Sequence, residues 1–297
     1  MTFGVFMLMQ AAPNDASVQL AGGTQATPES IAQVRAELGL DDPAVTQYLR
    51  WLGDAVTGDL GESYIRRTSV ADELADRVPI TLSLLFAATV FALVIAVPAG
   101  ILSGLRPNGI FDGSTRALSS LAVAIPSYLL AVGLIYLFSV ELGWLPPSGY
   151  TKFSESPTGW LEEITLPAIA LGLAFAAAMT RQLRGALVDE LDTNHIRTTW
   201  AMGCEPGRVV GRHGLKNASS PAITILGLQV AALVGGAVIV EEIFAIPGLG
   251  RYLFSGVLSA DIPAVMGSVI VLVVIQISMS LVVDIAYALL NPKVRVA

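Results

Sequence analysis

Four stretches of the chain carry no charged side chain: Val78 to Leu105, Ala117 to Val140, Asn217 to Val240 and Ile262 to Val283. At a rise of about 1.5 Å per helical residue, each is long enough to cross a hydrocarbon core of about 30 Å. Reading outward from them predicts five spans, over residues 79–105, 115–140, 164–180, 219–241 and 262–289. The third is the shortest, and Arg181 and Arg184 at its end can snorkel to the interface. The opening run MTFGVFMLMQAAP is apolar but too short to span as a straight helix, and it lacks the basic leader of a signal peptide.

Between this run and the first long span the pattern changes. Thr27-Pro28-Glu29 offers an N-cap with proline at the first helical position, and Gly39 closes that helix. Asp42-Pro43 starts a second, in which Val45, Tyr48, Leu49, Leu52 and Val56 recur at helical spacing until Gly58. Residues 27–77 therefore read as short amphipathic helices lying against the outer face of a membrane protein, with docking and simple connection both open as roles.

Composition agrees with the spans. Of 297 residues, 54% are hydrophobic and 14% charged, where soluble domains carry roughly a quarter charged residues. The net charge of −7 is unevenly placed, so it does not point to nucleic acid or an acid-seeking partner. Ten Asp/Glu face five Lys/Arg between Thr27 and Val78, whereas six Lys/Arg outnumber four Asp/Glu between Arg181 and Asn217. Short loops holding Arg106, Arg116, Arg181, Arg184, Arg197, Arg208, Arg212, Lys216, Lys293 and Arg295 define a cytoplasmic side by the positive-inside rule. The short loops of the opposite side hold only Lys152 and Arg251, which places residues 27–77, 142–163 and 243–261 outside. Trp144, Tyr150 and Trp160 suit an external loop with interfacial anchors. A single cysteine, Cys204, and two histidines, His195 and His213, leave no basis for a disulfide or a His/Cys metal centre.

The stretch Arg181 to Pro221 is the most informative. Asp192 or Thr193 can cap a short helix running toward Met202, Gly203 permits a sharp break, and Glu205-Pro206 can open a second helix. Such a helix–glycine–helix bracket can pass force to a soluble partner. His213 beside Arg212 and Lys216 reads as packing or capping. Asp284 is expected to pair with Arg181 or Arg184 at the same depth, and Glu241, a carboxylate within a span, marks a functional candidate.

The run Arg197-Thr198-Thr199-Trp200-Ala201-Met202-Gly203, followed by Arg212-His213-Gly214-Leu215-Lys216-Asn217 and Pro221, resembles the EAA loop of ABC-importer permeases. Further likeness lies in Asp41 to Tyr64, Ile125-Pro126-Ser127, Gly235-Gly236-Ala237 with Val240-Glu241, Pro247-Gly248-Leu249-Gly250, and Asp284 through Tyr287 to Asn291-Pro292. In order and extent the chain resembles the B-type permease subunit of dipeptide/oligopeptide importers. Thr199 stands at the second alanine of the triplet, Met202 at the usual basic residue, and Arg197 where the general motif has glutamate.

That resemblance implies an all-α polytopic fold of the type I importer permease, with about six transmembrane helices. It makes residues 1–21 a partial first transmembrane helix, with its beginning missing and its end near Pro13-Asn14-Asp15, followed by its exit. Residues 22–78 become an external helical region and 79–297 a permease core with its loop at 181–217. The implied coupling residues are Arg197, Thr198, Thr199, Ala201, Gly203, Glu205, Arg208, Arg212 and His213. Ser127, Gln229 and Glu241 are pathway or vestibule candidates, Glu241 alternatively capping the helix after Pro247.

The implied function is import of dipeptides or oligopeptides through half of a pathway shared with a second homologous permease. Two cytoplasmic ATPase domains with ATP and Mg, an external substrate-binding protein, membrane lipid and a peptide substrate complete the system, in a bacterial inner membrane with both termini inside once the first helix is complete. No Walker loop or catalytic constellation occurs in the sequence, so a non-catalytic subunit that binds no cofactor or metal itself is expected. Nickel, glutathione, an opine or a sugar-like solute are alternative cargoes on the same fold. A secondary transporter or channel would instead want ionisable residues at mid-membrane, and the absence of an evident internal repeat also disfavours it.

Overall fold

The computed structural model describes residues 2–12 and 16–290, the side chains at 219–226, 228, 231, 286, 287, 289 and 290 excepted. Pro13-Asn14-Asp15, Asn291-Pro292, Lys293 and Arg295, and the side chains of Pro221 and Tyr287, lie outside the described residues. Every regular element among the described residues is helical, beside one isolated bridge between Glu62 and Ser69. Three helices, Val70–Leu105 (α5), Pro157–Leu191 (α8) and Ile262–Ile285 within Ile262–Leu290 (α13), are long and apolar enough to cross a membrane. A fourth crossing is available from a bent pair. Lys216–Ile243 (α11) matches the charge-free sequence stretch at 217–240 and has 28 residues, or about 42 Å of helix. Two compact units share the chain: Met1–Leu82 with Ala245–Ile275, and Ser83–Phe244 with Gln276–Ala297.

In the first unit Thr2–Gln10 (α1) packs on Ala44–Val56 (α4) through aromatic rings. Tyr48 stacks edge-on to Phe3 at 5.1 Å and lies 5.6 Å from Phe6, and its hydroxyl is 2.9 Å from that of Thr2. Ala16–Leu20 (α2) leads to Pro28–Glu37 (α3), where Thr27 is the expected N-cap and forms a reciprocal capping box with Ser30. Gly39 and Gly58, at φ 64° and 93°, close α3 and α4 as expected.

The loop after α4 is pinned by Asp261, whose carboxylate is 97% buried. It accepts from the Ser63 hydroxyl at 2.5 Å and from the Tyr64 amide at 3.1 Å. Leu249–Leu258 (α12) begins on the Thr81 hydroxyl, which accepts from the Leu249 amide at 2.9 Å. The Arg77 guanidinium sits 4.6 Å above the Tyr252 ring.

The second unit is built around α8, against which Ile110–Ala124 (α6), Ser127–Leu134 (α7) and α11 all pack. Small residues set the approach: a Cβ on Gly172 would come within 2.6 Å of the Ala88 carbonyl, and Gly100 and Gly104 lie against Leu183 and Leu187. Two sequence expectations change here. The span expected at 115–140 is not one straight helix, because α6 and the segment Ser127–Glu141 meet at 101°. Pro126 lacks the amide that would continue the ladder and drives Ile125 to an extended conformation, φ −85° and ψ 120°. Helix α8 also runs well past Thr180 to Leu191, taking the first eleven residues of the expected loop 181–217 into a helix. Nothing between Arg181 and Leu191 stops it, and Leu183 and Leu187 continue its buried face.

Candidate coupling loop and pathway residues

Where α8 ends, Thr193 donates its hydroxyl to the Glu190 carbonyl at 2.6 Å, and Asn194–Ala201 (α9) follows. One side of α9 is buried at Ile196 and Thr199, while Arg197, Thr198, Trp200 and Ala201 face outward. Thr198 and Thr199 hydrogen-bond back to the carbonyls of Asn194 and His195. Thr199, expected among the contact residues, is 7% exposed and belongs to the packed side. Its hydroxyl can be buried because that back-bond satisfies it. Arg197 holds the α8 terminus through Asp192 at 2.6 Å.

The break falls at Gly203, φ 76°. Its amide donates to the Trp200 carbonyl at 2.9 Å and the Cys204 amide to Thr199 at 3.4 Å, the two bonds of a Schellman ending. Glu205 then sits at the N-cap of Pro206–Arg208 (α10) with Pro206 at the first helical position, although its side chain makes no capping bond. This short helix does not end before the next span. A π-helical turn, Val209–Leu215, carries it directly into α11. Val209 is fully buried, Gly214 lies against Leu191, and Glu205, Arg208 and Arg212 are exposed with His213 half-buried. The bracket therefore presents Arg197, Trp200, Met202, Glu205, Arg208 and Arg212 outward while anchored on α8 and α11.

One anchor escaped the sequence reading. Glu190 accepts from the Asn217 amide at 2.7 Å and pairs with His195 Nε2 at 3.0 Å, tying the starts of α9 and α11 together. A second contact corrects an expectation: Arg184 does not pair with Asp284, which is exposed. Its fork takes both oxygens of the fully buried Asp112, at 2.7 and 3.0 Å, and Ser103 and the Asn108 amide complete that carboxylate's bonds. Asp112 stands in the first turn of α6 where α6 packs on α8, and spacing along the sequence gives no hint of that meeting.

Of the pathway candidates, Ser127 opens α7 and is half-buried, as is Gln229 on α11. Glu241 is fully buried near the end of α11. Among the described residues no group of three or more His, Cys, Asp or Glu is arranged to hold a metal ion.

An all-helical chain with membrane-length apolar helices and a bracket of short helices between two long ones fits a transport-system permease, and the comparisons agree. The chain belongs to the family of binding-protein-dependent transport system inner membrane components: the family description matches residues 96–296 and its N-terminal component matches residues 1–85. A putative peptide transport system permease of Brucella abortus (strain 2308) is 36% identical over 290 residues, 98% of this chain and 92% of its own. The oligopeptide transport permease AppB of Bacillus subtilis (strain 168) is 36% identical over 98% and 92% of the two chains. The glutathione transport permease GsiC of Escherichia coli O6:H1 is 38% identical with the same coverage. Among solved structures, the inward-facing MetNI methionine ABC transporter superposes with a TM-score of 0.60 at 22% identity, over 74% of this chain and 96% of that one. That likeness shows the fold.

Proposed function

We propose that this chain is the permease subunit of an ATP-driven importer of dipeptides or oligopeptides. It lines half of a translocation pathway completed by a second homologous permease. Of the two ATPase domains, which hold ATP and Mg, one docks on its cytoplasmic loop, and an external binding protein delivers peptide. Residues 22–78 lie outside and the loop inside, with the C-terminus cytoplasmic. The observation carrying this reading is the bracket on Gly203, built into two long helices at either end, in a chain whose relatives are named as peptide permeases. ATP closing the ATPase dimer favours one arrangement of the helices over the other, and the bracket transmits that preference.

Arg197, Thr198, Ala201, Glu205, Arg208 and Arg212 form the surface the ATPase meets. Thr199 and His213 support it from within, and Gly203 sets the angle. Ser127, Gln229 and Glu241 line the pathway or its outer vestibule. The glutathione-named relative favours glutathione as a second cargo, itself a tripeptide-like molecule. Purifying the chain with its co-encoded partners and measuring ATP-dependent uptake of labelled peptides into proteoliposomes tests the proposal. Co-purification with Walker-motif ATPases and peptide uptake are expected. Uptake independent of ATP would contradict the proposal.

A further inference from the structure

Helix α4 has three distinct sides. Its aromatic side, with Tyr48 and Trp51, meets α1. A polar side carries Arg50, bound to Asp42 at 2.7 Å, and Asp54. The third side holds Val45, Leu49, Leu52 and Val56, which share an arc of about 60° at about 100° per residue. Val45, Leu49 and Val56 are 53%, 58% and 81% exposed, and Leu52 is half-buried. Asp54 falls almost opposite the centre of that stripe.

We propose that α4 is an interfacial helix, lying in the membrane plane with this stripe in the headgroup–acyl boundary of the bilayer. The occupant is lipid for three reasons. Helix α4 is held along its aromatic side by α1, a charge-free helix whose own Phe3 and Leu8 are 45% and 73% exposed. A helix of that composition has lipid as its solvent, so its neighbour is held at the membrane. The stripe is aliphatic from end to end, and Val45, Leu49 and Val56 stay more than half exposed, the form a lipid-facing side of an interfacial helix takes. Tyr48, a residue type that settles at the interface, borders it about 40° beyond Leu52, while the charged side points away. The inference rests on the inner-membrane placement of the family and names the surface that seats this polar layer on the bilayer.

The test uses the full chain with its co-purifying subunits in lipid nanodiscs, in a Cys204→Ser background. An environment-sensitive fluorophore is placed at Leu49→Cys, Val56→Cys, Asp54→Cys or, as a span control, Val94→Cys, which is 63% exposed on α5. Blue-shifted emission at 49 and 56, quenched by lipids doxyl-labelled near the headgroup, with water-like emission at 54, is the expected result. Water-like emission at 49 and 56 alongside lipid quenching at 94 overturns the proposal. So does blue-shifted emission at 49 and 56 that no lipid quencher reaches, which would mean a protein covers the stripe. Absence of lipid quenching at 94 as well would overturn the membrane placement itself, and this proposal with it.

Discussion

At Gly203 the whole demand on the residue comes from the backbone. A Cβ there would meet nothing within 4 Å, so the positive φ alone makes glycine necessary. A left-handed conformation costs an ordinary residue about 1–2 kcal/mol, and a β-branched side chain fits it worst. Gly203→Val should therefore abolish or strongly reduce transport in an uptake assay while the external binding protein still binds substrate. Gly203→Asn, which tolerates that region, should retain most of it.

The ion pair at Asp112 makes a different residue-scale prediction. Removing one partner strands a buried charge, so Arg184→Ala should destabilise the fold by about 3 kcal/mol in unfolding measurements. The double change with Asp112→Ala should cost less than the sum of the two single changes. Tyr64 titrates late, at about 12, because burial and then the charge of Asp261 disfavour the phenolate. Its folded pKa is raised, so its stabilising contribution is complete below the usual value of about 10 and is lost between there and about 12. A tyrosinate absorbance titration should show a late component that Tyr64→Phe diminishes, with Tyr252, also pushed up to about 12, supplying the remainder.

Among the elements, helix packing depends on what each small residue faces. A Cβ at Gly172 would meet the backbone carbonyl of Ala88 at 2.6 Å, whereas one at Gly236 would meet only the end of the flexible Leu171 side chain at 2.8 Å. Gly172→Ala should lower thermal stability in detergent clearly more than Gly236→Ala, and equal losses would count against this packing. Much of the turn chemistry was legible in sequence: Thr27-Pro28, Gly39, Gly58, Gly203 and Pro206 act where it puts them, whereas Thr193 and Glu205 take N-cap positions without capping bonds. The 101° bend at Ile125-Pro126 was written there too, but a count of charge-free residues reads straight through a proline. Helix α8 outran its expected end because span length was judged from apolarity. Leu183 and Leu187 mark its true continuation, meeting Gly100 and Gly104 of a helix some eighty residues earlier in the sequence.

Across the whole molecule, class and family could be read from span lengths and the loop motif, whereas long-range partners could not. Asp261 reaching Ser63, Thr81 capping α12, and Ala245–Ile275 joining the unit of Met1–Leu82 depend on chain folding that no local pattern encodes. In the proposed transport cycle, the bracket at 192–215 is where an ATPase subunit takes hold. Cysteine crosslinking in an active complex, with Cys204 replaced by serine, tests it most directly. Cysteines at Ala201 or Glu205, both exposed beside the break, should join to the ATPase, while one at Asn108, in the loop between α5 and α6, should do so poorly. Equal joining at all three positions, or none at Ala201 and Glu205, would contradict the claim.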